Sequence, residues 1–193
     1  MNKLLIVFTL VSFLTSCADI NKEQQLKRIQ QEQKRLDQLA EQIKDKRMDE
    51  VSSLKVNTMQ TELKIKQHLH LDTINLDLAQ QLDAYKLMRK SINPITKQLR
   101  QLRTGIKEEK TVLKLLAQDV ELGRGERQRF DEFIKFEHNK VDQLAALTKE
   151  YLRAKAKLFE DYYALYPPVN ALANQLQEKA ARQRWNTSLL FSF

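Results

Sequence analysis

Apolar residues recur at alternating steps of four and three along the middle of the chain. Ile95, Leu99, Leu102, Ile106, Leu113, Leu116 and Val120 keep this rhythm, with Glu109 the one polar residue in the register. A row sustained this long predicts a helix whose apolar seam packs in coiled-coil fashion. A second row runs through Phe130, Ile134, Glu137, Val141, Leu144, Thr148, Tyr151, Lys155, Leu158, Tyr162 and Leu165, widened by Phe133, Leu147 and Leu152. Gly123-Arg124-Gly125 lies between the rows. Glycine permits a left-handed helix cap and a tight reversal, so the two rows are expected to zip together as an antiparallel hairpin, the second helix starting near Glu126. Asn93-Pro94 precedes the first row, with a favoured N-cap followed by a favoured first helical residue, so either a new helix starts there or a long one kinks. Pro167-Pro168 is expected to stop the second helix. A short amphipathic helix with Val169, Leu172, Ala173, Leu176 and Ala180 would follow, and then the apolar tail from Trp185 to Phe193, docked or mobile.

The first half of the chain is less regular. No Gly or Pro occurs between Ala18 and Asn93, which reads as long helix. Leu26, Ile29, Leu36, Leu39, Ile43, Val51 and Leu54 form a narrow stripe, and Val51-Ser52-Ser53 with Val56-Asn57-Thr58 marks a candidate break. Leu69 to Leu78 alternates briefly like a strand. Helical steps through Leu71, Ile74, Leu78, Leu82, Tyr85 and Arg89 compete well there, and helix is preferred. The expected fold class is all-α: an elongated antiparallel coiled-coil helical bundle after a cleaved signal peptide. A helix of about 40 residues is about 60 Å long. Either three helices fold back on one another, or a second copy covers the weak stripe of the first helix as a homo-oligomer.

The N-terminus has its own pattern. Lys3 is followed by an apolar run from Leu4 to Leu14, broken only by Thr9 and Ser12. That run matches a secretion-signal core and is shorter than the roughly 20 residues a membrane-spanning helix needs. It ends in Leu14-Thr15-Ser16-Cys17. This resembles the lipobox of bacterial lipoproteins: an aliphatic residue, two small residues and an obligatory Cys. The resemblance implies cleavage between Ser16 and Cys17 and a covalent lipid on Cys17, the only cysteine of the chain. It also implies a protein held at a cell membrane by its lipid anchor, outside the cytoplasm. In enterobacterial lipoproteins an Asp directly after the Cys favours the inner membrane. Here Ala18 takes that place, which favours an outer membrane where the organism has one. The expected organisation is residues 1–16 as signal, 17–22 as lipidated tether, 23–166 as long-helix coiled coil, and 167–193 as short helix and apolar tail. The layout and the aromatic stretch Phe159–Tyr166 are loosely similar to cell-wall-binding lipoproteins of Gram-positive bacteria. The murein lipoprotein links to the wall through a C-terminal Lys, whereas this chain ends in Phe193.

Little points to catalysis. There is no phosphate-binding glycine loop and no His-Glu-x-x-His zinc pattern. No catalytic residue, metal site or cofactor beyond the Cys17 lipid is expected. His68 and His70 stand about 200° apart on a helix, and His138 is isolated, so all three read as solvated. Glu108-Glu109 and Glu160-Asp161 read as solvated charges, while Glu109, Glu137 and Lys155 at seam positions either set register or snorkel outward. Asp72-Thr73-Ile74 fits a short O-glycosylation pattern of some Bacteroidetes, with Thr73 as acceptor. Asn186-Thr187-Ser188 fits an N-glycosylation signal that bacteria seldom use.

Charge supplies the functional hint. The formal net charge is +8. Lys86, Arg89, Lys90, Lys97, Arg100, Arg103 and Lys107 fall between Ala84 and Lys107 with no acid among them. At 100° per residue they occupy an arc of about 140° beside the apolar seam. In an exported protein such a basic stripe suits phospholipid headgroups, lipopolysaccharide or anionic wall polymers, and not nucleic acid. The expected function is a membrane-anchored coiled-coil lipoprotein of the bacterial cell envelope, structural or scaffolding or polyanion-binding, without catalysis. The alternative is an adaptor that regulates a larger envelope complex through a protein partner.

Overall fold

In the computed structural model the protein is all-α. The structure describes residues 2–44, 50–69 and 75–190, and the side chains within 21–44, 50–69 and 75–184. Among the described residues four helices follow in order: α1 (Asn2–Gln42), α2 (Val51–His68), α3 (Leu76–Leu122) and α4 (Phe130–Leu190), the last preceded by a 3-10 turn at Arg127–Arg129. The chain divides into two compact units, one of Met1–Lys44 with Arg100–Lys149, the other of Asp45–Leu99 with Glu150–Phe193.

The first unit is a three-helix bundle. α1 buries Gln25, Ile29, Glu32, Leu36, Leu39 and Ile43, again at steps of four and three. Against it α3 buries Leu102, Ile106, Glu109, Leu113 and Val120, and α4 buries Phe130, Ile134, Glu137, Val141 and Thr148. Each fully buried aliphatic side chain contributes about 1.5–3 kcal/mol. Ion pairs report the register. Arg28 meets Asp131 at 2.8 Å and Arg35 meets Asp142 at 2.5 Å, so α1 runs parallel to α4. Lys140 lies 3.7 Å from Glu109, and a methyl group on Gly105 would stand 3.1 Å from Leu144 Cδ2, so α3 and α4 are antiparallel. The expected reversal is built as read: the Gly123 N–H reaches the Val120 carbonyl at 3.3 Å, and the Arg124 N–H reaches that of Asp119 at 2.9 Å. This is a Schellman cap, and φ is +62° at Gly123 and +87° at Gly125.

The second unit is also three-helical, with different fillings. α2 buries Val51, Leu54, Thr58, Thr61 and Ile65, and α3 buries Tyr85, Met88, Ile92, Ile95 and Leu99. α4 adds Tyr151, Lys155, Leu158, Phe159, Tyr162, Val169 and Ala173. Thr61 Oγ1 donates to Asn170 Oδ1 and Lys64 Nζ to Asn174 Oδ1, both at 2.9 Å, which sets α2 parallel to α4. Tyr85 OH donates to the Thr58 carbonyl at 3.2 Å, and burial pushes that phenol up to about 12. The Tyr162 and Tyr166 rings stack at 4.8 Å.

Several expectations are corrected. The reach from Ala18 to Asn93 is not one helix: α1 ends at Gln42 and α2 begins at Val51. Residues 44–50, Lys-Asp-Lys-Arg-Met-Asp-Glu, hold one apolar residue, and the step from Ile43 to Val51 breaks the four-three rhythm. The weak-propensity cluster after Val51 is helical, because burial of Val51, Leu54 and Thr58 overrides it. Asn75 starts α3 as an N-cap, its Oδ1 accepting the Leu78 N–H at 3.0 Å. α3 neither ends nor reverses at Pro94, and α4 is not stopped by Pro167-Pro168; all three prolines lie inside helices. Each proline strands the carbonyl four residues earlier, at Lys90, Tyr163 and Ala164. The prolines and those residues are all exposed, so the stranded carbonyls lie on solvent-facing turns while Ile92, Ile95, Tyr162 and Val169 hold the other face. The stripe of α1 is covered within the chain by α3 and α4. Glu109 is buried rather than solvated, at 6% exposure, and Glu137 and Lys155 do not snorkel, each at 8%.

Candidate anion-binding groove

The first unit carries a groove of about 700 Å³ between the C-terminal end of α1 and the middle of α3. Its floor is apolar, with Ile43 2% and Ile106 3% exposed. Its rim is cationic: Lys44 just past α1, and Arg103, Lys107, Lys110 and Lys114 from α3, against Glu41 as the one carboxylate among the described lining residues. The pattern follows from the helix. The seam residues Leu102, Ile106, Glu109 and Leu113 turn inward, and the positions one residue later in each step face outward beside them.

Some of this charge is already compensated. Lys110 Nζ stands 2.6 Å from Asp37 Oδ1, and Lys44 Nζ 3.5 Å from Glu41. Arg103, Lys107 and Lys114 are exposed and make no ion pair or hydrogen bond among the described residues. Three cations that no described residue compensates, set over a partly apolar groove, attract an anion, and the low-dielectric floor strengthens that attraction.

The predicted stripe divides between the units. Arg100, Arg103 and Lys107 are exposed in the first unit. Lys86, Lys90 and Lys97 are exposed in the second, where Arg89 is half-buried and ion-paired with Glu62. Burial pushes the Glu62 carboxyl up, but Lys66 and Arg89 together outweigh it and hold the group below its ordinary value. Arg89 is therefore a packing residue. Lys44, Lys110 and Lys114 were not read from the sequence, although Lys110 and Lys114 continue the steps from Arg100, Arg103 and Lys107; the Glu108-Glu109 pair hid that continuation. Ser16 and Cys17 lie in α1, but their side chains are outside the described residues, as are His70 and Thr73.

Two charged clusters have a bonding role. His138 is half-exposed but not simply solvated: its Nδ1 is 2.9 Å from Glu32 Oε1 and its Nε2 3.4 Å from Asp142 Oδ2. Arg35 hydrogen-bonds Asp142 and holds that carboxyl below its usual range. In the seam, Glu109 faces Glu137, with Lys140 Nζ 2.8 Å from Glu137. Burial, then the neighbouring Glu137, raise Glu109 to about 7. Among the described residues no cluster of His, Cys, Asp and Glu could hold a metal, and no helix is long and apolar enough to cross a membrane.

Compared with family models, curated proteins and solved structures, the chain matches none at a significant level.

Proposed function

We propose that this protein is a lipid-anchored lipoprotein of the bacterial cell envelope whose helical body binds an anionic envelope component. The observation that carries the binding is the groove, where Arg103, Lys107 and Lys114 stand without an ion-pair partner among the described residues, beside Lys44 and Lys110. The anchoring rests on the apolar run closed by Leu14-Thr15-Ser16-Cys17. Two or more fatty chains hold a protein at a membrane without a spanning helix, since each buried methylene contributes about 0.8 kcal/mol. Its place is outside the cytoplasm, in the outer membrane where the organism has one, and its role is structural rather than catalytic.

Detergent phase partitioning of wild type and Cys17→Ala, with mass spectrometry of the N-terminal peptide, tests the anchor. A lipidated Cys17 in the detergent phase and an unprocessed mutant precursor are expected. An unmodified Cys17 refutes the anchoring.

A second reading, an adaptor for a larger envelope complex, is favoured by one observation. Val56, Met59 and Leu63 lie along the outer face of α2 at steps of three and four, with exposures of 52%, 48% and 55%. An adaptor would co-purify with one partner in fixed stoichiometry from solubilised envelopes and would lose it on Leu63→Glu. A scaffold would keep its envelope association in that variant.

A further inference from the structure

The cations of the first unit are arranged as a line as well as a patch. Arg100, Arg103, Lys107, Lys110 and Lys114 follow one another along α3 at steps of three, four, three and four. At 1.5 Å per residue they span about 21 Å of helix axis, one cation every 5 Å or so. At 100° per residue they stay within an arc of about 80°, so the row runs lengthwise without winding off its face. Arg100, Arg103, Lys107 and Lys114 are exposed and make no ion pair among the described residues. The one acid of α3 inside this stretch that reaches solvent is Glu108, about 80° beyond the edge of the arc. The carboxylates that face the row from α1 are Asp37, held by Lys110, and Glu41, held by Lys44. The groove at Ile43 and Ile106 lies beside the row and gives a strand a shallow bed.

An isolated anion would occupy one or two of these cations and leave the rest repelling one another. A lipid headgroup places its charge within a few ångströms and likewise leaves most of the row unused. A chain with a regularly repeating charge satisfies the whole row at once and releases a counterion at each contact. Two of the five cations are guanidinium groups, whose forked donors fit the paired oxygens of a phosphate.

We infer that the row from Arg100 to Lys114 binds a linear phosphate polymer lying lengthwise along α3. This inference rests on the polyanion-binding reading and names its ligand class. The measurement is binding of the full chain in non-ionic detergent to long-chain inorganic polyphosphate, to triphosphate at equal phosphate concentration, to alginate, and to phosphatidylglycerol vesicles, each across a salt series. The test variant is Arg100→Gln, Arg103→Gln, Lys107→Gln and Lys114→Gln combined. The control removes other exposed cations of the same unit, Lys135→Gln with Lys149→Gln, and circular dichroism checks the helix content of both.

The expected result is tight binding of the long polymer and at least tenfold weaker binding of triphosphate per phosphate. In the fourfold variant the log–log salt slope becomes shallower by about 0.7 per cation removed, and the control keeps most of the wild-type slope. Polymer binding that the fourfold variant leaves unchanged overturns the row while leaving polyanion binding standing elsewhere on the chain. Equal affinity for triphosphate, or vesicle binding that outcompetes the polymer, overturns the linear ligand. Tighter binding of alginate overturns the phosphate assignment. Binding to none of these probes overturns both the row and the reading beneath it.

Discussion

The two three-helix units solve the same packing problem with different chemistry. In the first, ion pairs cross-link the helices, Arg28 to Asp131, Arg35 to Asp142 and Lys110 to Asp37, and Glu32 is hydrogen-bonded to His138. Carboxylates enter its seam at Glu32, Glu109 and Glu137. In the second, hydroxyl and amide contacts hold the register, Thr61 to Asn170 and Tyr85 to the Thr58 carbonyl, around a tyrosine-rich core, and the ion pair of Glu62 with Arg89 lies half-buried in the same unit. Carboxylates titrate and ion pairs are screened, whereas packed rings and neutral hydrogen bonds respond to neither. The first unit is therefore expected to be the pH- and salt-responsive one, and it is also the unit that carries the cationic groove.

The largest effects come from the cores. Tyr85→Ala in the second unit is expected to cost about 3–5 kcal/mol, and Leu36→Ala in the first about 2–5 kcal/mol. Denaturant unfolding gives the totals, and peptide-resolved hydrogen exchange shows which unit loosens. Equal loosening of both units by either variant would break the division.

Glu109 sharpens the contrast. A carboxyl raised to about 7 in the fold binds its proton more tightly there than in the unfolded chain, so stability is highest when it is protonated. Stability should fall as pH rises from about 4.5 through about 7 and then level off. Glu109→Leu removes the buried charge and should stabilise the protein by about 1–3 kcal/mol near pH 8 while flattening that slope. A melting temperature that stays flat between pH 5 and 8 in wild type would refute the assignment.

Thr61→Val keeps the shape of its site in the second unit but leaves Asn170 without its donor, at a cost of about 1 kcal/mol that does not change with salt. Arg28→Ala breaks an exposed pair and should cost at most about 1 kcal/mol, less at high salt. A salt dependence in the threonine variant and none in the arginine variant would reverse the contrast between the units.

The four-three rows of α3 and α4 were legible in the sequence because both helices bury a wide, nearly unbroken apolar stripe. Seven of the eight read positions from Ile95 to Val120 are buried, Leu116 alone being half-exposed. The glycine turn was legible because its two positive φ values suit glycine and few other residues. The stripes of α1 and α2 were harder to read, since Gln25, Glu32, Thr58 and Thr61 occupy buried positions that a hydrophobic pattern skips. The prolines were over-read. Local propensity predicts a stop, but an exposed proline with a water-facing stranded carbonyl costs less than giving up the buried residues on the other side of the helix.

By itself the sequence determined the all-α class, the long antiparallel hairpin and the presence of a basic face on α3, because periodicity and charge are properties of the chain written out in order. Only the tertiary structure decided which charges are free. Arg89 is taken by Glu62 and Lys110 by Asp37, whereas Arg103, Lys107 and Lys114 have no ion-pair partner among the described residues and lie beside Lys44, just past the end of α1. That distinction depends on which helices meet and in what register, and pairing across helices leaves no mark in the periodicity of any one of them.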